Sequence, residues 1–260
     1  MKERELPFVF SLPHCSSRIP PEIRRGLALS EDEIEESTDV GTAEVFGTLP
    51  AVAVLCASWS RLTVDLNRHP AQRDRKGIVA LTDYGGRDVF RPGSIPDEAE
   101  VERRIHAYYW PYHHRLREAL ESPAVRVLFD CHSLYGVGPA EAPDRGLKRK
   151  DITLSNNGDT DGCPLPSLGH ISCATETLQV MKKAFEESGF SVSINRPYSG
   201  GYITTHYGHT RADHGMLAVQ IEINQNLFCR SGSLEVVPES AKEVREQVLC
   251  ALWQIAGRVA

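Results

Sequence analysis

The sequence lacks most of the features that mark a chain for a specialised setting. Its cysteines stand singly at 15, 56, 131, 163, 173, 229 and 250, with no Cys-x-x-Cys pair. That excludes zinc-knuckle and thioredoxin-type spacings. An odd, scattered set reads as reduced thiols of a cytoplasmic protein. Cys56 and Cys250 fall in apolar runs and are expected in the core. No apolar run approaches the roughly 20 residues that span a bilayer. Residues 1–6 lack the apolar segment of a secretory signal, so no membrane partner is expected. Dense Lys/Arg runs are also missing, and the formal net charge is −6, which argues against a nucleic-acid partner.

What is present is an ordinary globular composition. At 260 residues, with 41% hydrophobic and 25% charged residues, the chain can bury a core of normal size in one domain. Short β-branched and apolar runs alternate with helix-period segments, which predicts a single-domain α/β fold. Strands are expected at 6–12, 51–57, 60–66, 125–129, 151–154, 190–194 and 217–223. Helices are expected at 42–49, 97–120, 173–188 and 241–259, with Pro111 kinking the second of these. Residues 71–97, rich in Gly, Pro, Arg and Asp, read as an active-site flap.

The chemistry gathers at the ends of the expected strands. Asp130-Cys131-His132-Ser133 is a polar cluster closing an apolar strand, and Pro13-His14 closes the first. In open α/β sheets such ends border the ligand crevice, and an imidazole there suits metal or acid/base work. Asp39 reads either as a cap for the helix at 42 or as an oxygen ligand. Arg68 stands at a further strand end, where a guanidinium can grip a carboxylate or pair with Asp65 or Asp74. Glu222 lies within an apolar strand, which is costly unless the carboxylate is paired or functional. Gly200-Gly201 permits close backbone approach.

Five segments in this order resemble the N-formylglutamate amidohydrolase family: Pro13-His14, Ser60-Arg61 with Asp65-Leu66-Asn67-Arg68, Asp130-Cys131-His132-Ser133, Tyr198-Ser199-Gly200-Gly201-Tyr202-Ile203 and Gln220-Ile221-Glu222-Ile223. That family looks like a distant branch of the zinc carboxypeptidases and aspartoacylases. The resemblance implies a phosphorylase/hydrolase-like α/β fold with a central mixed sheet flanked by helices. It also implies a cytoplasmic, zinc-dependent amide hydrolase acting on a small substrate that carries carboxylates.

Under it, His14 and His132 match metal ligands and Glu222 the carboxylate that activates water. Asn67 and Arg68 match a carboxylate-binding pair. Arg61 or Arg196 would take a second carboxylate, Asp130 would orient a ligand imidazole, and Gly200-Gly201 would admit substrate. One departure stands out. The carboxypeptidases carry His-x-x-Glu, but Ser17 occupies the acidic position here. Asp39 is the expected third ligand, with His206 as the alternative. The same scaffold allows hydrolysis of another N-acyl amino acid or a peptide C-terminus, or metal-free binding of a small molecule. Thiol catalysis by Cys15 or Cys131 is disfavoured, because neighbours on an extended chain face opposite ways.

Overall fold

The computed structural model describes residues 5–210 and 216–259. Six strands, β1 Leu6–Leu12, β2 Ala51–Cys56, β3 Val127–Leu134, β4 Ile152–Ser155, β5 Val192–Ile194 and β6 Leu217–Asn224, form one sheet in the order β2-β1-β3-β6-β4-β5. The first four in that order run parallel, β4 opposes β6, and β5 runs with β4. The sheet is mixed, as expected. The helices are α1 Pro21–Arg24, α2 Glu31–Glu36, α3 Thr42–Phe46, α4 Glu98–Arg104, α5 Trp110–Ala119, α6 Thr175–Glu187, α7 Tyr202–Thr210 and α8 Pro238–Val259.

Strand alternation divides the core between the two faces of the sheet. Phe8, Phe10 and Leu12 of β1 and Phe129 of β3 pack under α3, α6 and α8. Val9 and Leu128 point the other way, towards Tyr112 and Leu116 of α5 and Ile78 and Phe90 of the 71–97 segment. Phe129 meets Phe8 edge-on at 5.1 Å and stacks on Phe10 at 5.6 Å. Both faces are covered, which is why the central strands are apolar almost throughout. Truncating Phe129 to Ala would cost about 3–5 kcal/mol.

Four expectations need correction. Residues 60–66 form turns rather than a strand, because Ser60 and Asp65 spend their hydrogen bonds on local backbone groups. The central strand does not stop at 129; Asp130, Cys131, His132 and Ser133 lie inside β3, each paired with β6. The helix at 97–120 is continuous but carries a π-helical turn, Ile105–Tyr109, just before Pro111, which opens the ladder where the missing N–H falls. Cys56 and Cys250 are exposed, since apolar neighbours in sequence do not share their face. Among the described residues no helix is long and apolar enough to cross a membrane.

Candidate active site

Three parallel strands bring the polar residues to one edge of the sheet. His14 follows the end of β1 by two residues. The register of β3 on β6 sets His132 beside Glu222 and Asp130 beside Gln220. Since β4 runs antiparallel to β6, its start lies at this edge, which delivers Arg149. Asp39 is tied in by its backbone N–H, which donates to the His14 carbonyl at 3.0 Å. It does not cap α3: Gly41 holds that N-cap position at φ +80, packed so closely on Phe228 that a Cβ would not fit.

His14, Asp39 and His132 form a buried group whose ligand atoms lie within 4.8 Å of one another. The two imidazoles are 4.9 Å apart, centroid to centroid. Both Nδ1 atoms face the same carboxylate oxygen: Asp39 Oδ2 is 2.7 Å from His132 Nδ1 and 3.5 Å from His14 Nδ1. Each Nε2 faces an aspartate instead. His14 Nε2 is 2.8 Å from Asp65 Oδ1, and His132 Nε2 is 3.3 Å from Asp130 Oδ1. His14 Nδ1 is buried with no hydrogen-bond partner. Such an orphan is costly unless an ion satisfies it. Two imidazole nitrogens and one carboxylate, each nitrogen backed by an acid, fit a catalytic zinc ion with one position left open.

The surrounding charges are strongly coupled. Burial penalises the Asp39 carboxylate, but the His132 and His14 imidazoles beside it hold its pKa below the ordinary value. Burial likewise opposes ionisation of Asp65, yet Arg61 and His14 keep its pKa well below the carboxylate range. His132 resists protonation through burial, but Asp130 and Asp39 draw its pKa well above the usual imidazole value. Glu222 goes the other way: burial pushes it up to about 8, only partly offset by His132. Its Oε1 accepts from Gln220 Nε2 at 3.0 Å, which fixes its orientation.

A cavity of about 150 Å³ adjoins this centre, lined by His14, Asp39, Arg61, Asn67, Arg68, Tyr84, His132, Arg149, Tyr198, Gly200, Gly201 and Glu222 among others. The expected Arg68 is there, without an acidic partner within ion-pair distance among the described residues. Its guanidinium instead donates to the Lys76 and Asn67 carbonyls and, at 3.1 Å, to the Tyr84 hydroxyl. Arg61 is engaged by Asp65, with NH2 2.6 Å from Oδ2. Asn67 is consumed internally: its Nδ2 donates to Asp130 Oδ2 at 2.9 Å and its Oδ1 accepts from Ile203 N at 2.7 Å. Gly201 is needed for that packing, since a Cβ there would strike the Asn67 amide.

Two expected residues fall elsewhere. Arg196 is exposed and does not line the cavity. It follows β5, and its carbonyl accepts from the Thr153 and Ser193 hydroxyls at 3.0 Å each, which leaves the exposed guanidinium outside the cavity. His206 sits on α7, stacked on Tyr202 at 4.8 Å, outside the metal group.

A family model described as N-formylglutamate amidohydrolase matches residues 6–229. The chain belongs to the N-formylglutamate amidohydrolase family. It is thereby a hydrolase of the amide carbon–nitrogen class. An N-formylglutamate deformylase of Pseudomonas putida is 27% identical over 263 residues, covering 96% of this chain and 91% of the relative. One from Pseudomonas aeruginosa is 27% identical, covering 86% and 82%. The fold matches a crystal structure of an N-formylglutamate amidohydrolase from Ralstonia eutropha, with TM-score 0.78, 22% identity and coverage of 99% and 95%.

Within this family member, sequence reasoning gave no site role to Asp65, Tyr84, Gln220 or Arg149. Asp65 had a signal: it opens the Asp65-Leu66-Asn67-Arg68 run, whose last two residues were read as a carboxylate-binding pair. Gln220 stands two residues before Glu222, on the same side of an extended segment. Tyr84 and Arg149 lie in irregular segments, where no periodicity announces a direction. Tyr84 is wedged between Arg61 and Lys76, 5.2 and 4.8 Å from its ring centre. Burial raises its pKa, but Arg61 and Arg68 bring it below the ordinary phenol value.

Proposed function

We propose that this chain hydrolyses an N-acyl amino acid, N-formylglutamate to formate and glutamate being the specific case, with a divalent metal, zinc by preference. The observation that carries the reading is the bare, buried His14 Nδ1 turned towards Asp39 and His132, with Glu222 on the neighbouring strand. When bound by these three residues, zinc would supply Lewis acidity towards the formyl oxygen and a water acidified towards pKa about 7.

The chain's own groups do the rest. Glu222, oriented by Gln220, accepts the proton of the attacking water and returns it to the departing amine. A high pKa suits that second task, since a group poised near the working pH can both take and give. Asp65 holds the Nε2 proton of His14, which keeps that Nδ1 lone pair turned inwards, and Asp130, 3.3 Å from His132 Nε2, would take the same part once His132 Nδ1 turned from Asp39 to the metal. Arg68, with no acidic partner at ion-pair distance among the described residues, binds the substrate's first carboxylate. The relatives named for N-formylglutamate deformylation support the choice of substrate.

Formate release from N-formylglutamate by the purified protein, measured with its metal content before and after chelation, tests this. Turnover that disappears with the metal and returns on adding zinc is expected. Full turnover after complete metal removal refutes metal dependence, and no turnover on any N-formyl or N-acetyl amino acid refutes the reaction class.

A further inference from the structure

The cavity holds three arginines, and they differ in what binds them. Arg68 has no acid at ion-pair distance among the described residues, and Arg61 is committed to Asp65, whose other oxygen holds His14. Moving Arg61 to a ligand would therefore disturb the metal centre. Arg149 lies on the Glu222 side of the cavity, and its side chain is 3% exposed. Nε donates to Asp144 Oδ2 at 2.8 Å, NH2 to Asp144 Oδ1 at 2.7 Å and NH1 to the Tyr135 carbonyl at 3.1 Å. The guanidinium also lies 5.7 Å from the centre of the Tyr198 ring, another lining residue.

These contacts make a rigid, pre-oriented cation. A guanidinium has five N–H groups, and the bonds to Asp144 and Tyr135 use three. The Asp144 pair engages the Nε/NH2 side, leaving N–H on the NH1/NH2 end for a further acceptor. Asp144 offsets the charge until a ligand arrives and is hydrogen-bonded to Arg149, not to the metal group. A surface pair would not need such burial, and a core pair would not line a cavity.

We propose that Arg149, held by Asp144 and backed by Tyr198, receives the second carboxylate of the substrate, so that the enzyme selects N-acyl amino diacids over neutral N-acyl amino acids. This rests on the hydrolase reading above and adds to it the residue that sets side-chain specificity. With Arg68 taking the first carboxylate, the two cations approach the substrate from segments on different sides of the centre. A ligand with carboxylates at both ends is oriented, whereas one with a single carboxylate is held at one end only. Charge-assisted bonds to a buried guanidinium are the means by which such a site rejects an uncharged isostere.

The test compares N-formylglutamate with N-formylglutamine, which differ only in that second carboxylate. Three proteins are assayed: wild type, Arg149→Lys, and the charge-balanced double variant Arg149→Met with Asp144→Asn. The wild type should prefer the diacid. In the double variant the kcat/KM ratio of diacid to amide should fall roughly 10- to 100-fold, mainly through KM for the diacid. Arg149→Lys should fall in between, because an ammonium keeps charge but not the fork. A purely structural arginine would lower both substrates alike, and an unchanged ratio overturns the assignment while leaving the reaction class intact. For a variant that has lost turnover, glutamate against glutamine as stabilising ligands in thermal unfolding supplies the same ratio. If the wild type hydrolyses neither substrate, the hydrolase reading falls and this assignment with it.

Discussion

His14 and Asp65 are joined at 2.8 Å through Nε2 and Oδ1, and this bond decides what the other side of the ring can do. Asp65 is held ionised by Arg61, so it accepts only and the ring proton must sit on Nε2. The Nδ1 lone pair is left bare, buried and facing Asp39. His132 differs: its Nδ1 is hydrogen-bonded to Asp39 Oδ2 at 2.7 Å, and its Nε2 lies 3.0 Å from Asn67 Nδ2 and 3.3 Å from Asp130 Oδ1.

Replacing Asp65 by Asn keeps the shape and removes the charge. Metal affinity should fall about 10- to 100-fold, read by competition with a chromophoric chelator, while the protein stays folded. Unchanged affinity would mean that Asp65 serves Arg61 alone.

Glu222→Gln should retain the metal and lose turnover by about 10²- to 10⁴-fold, the usual worth of a placed proton acceptor. Metal content and formate release on the same sample separate the two effects. Normal turnover would remove Glu222 from the proton-transfer role.

The raised carboxyl of Glu222 also sets a stability trend for protein stripped of metal. The unfolded chain ionises this group near 4.5, whereas the folded chain retains the proton until about pH 8. The folded state thus binds the extra proton between these values, and stability declines as pH rises through that window. His132, whose pKa is also raised, adds a loss of the same sign above its ordinary pKa near 6.5. Urea unfolding across this range should show the decline, and Glu222→Gln should flatten the part that belongs to the carboxyl. Acidic groups with depressed pKa values, Asp39 and Asp65, lose their contribution only below about pH 4.

Cys131 lies in the apolar core on the other side of β3 from His132. Cys131→Ser buries a hydroxyl there and should cost about 1–3 kcal/mol in thermal or urea unfolding. Turnover per folded molecule should remain. Its loss would revive a thiol mechanism.

Local sequence was enough for the class of fold. Apolar runs of strand length between helix-period segments can be satisfied only by a sheet buried on both faces, so the α/β class was legible. So were His14, Asp39, His132, Arg68 and Glu222 as candidates, because each is a polar group where an apolar or turn residue would be the cheaper choice. Their assembly was not legible. That His132 stands beside Glu222 is a matter of strand register, and that Asp39 swings to His14 rather than capping α3 follows from one backbone hydrogen bond between distant segments. The reversal between β6 and β4 brought Arg149 to the site, and no local pattern encodes a strand's direction. Side-chain chemistry is carried by the chain residue by residue, whereas distances among such groups arise only when long-range pairings close.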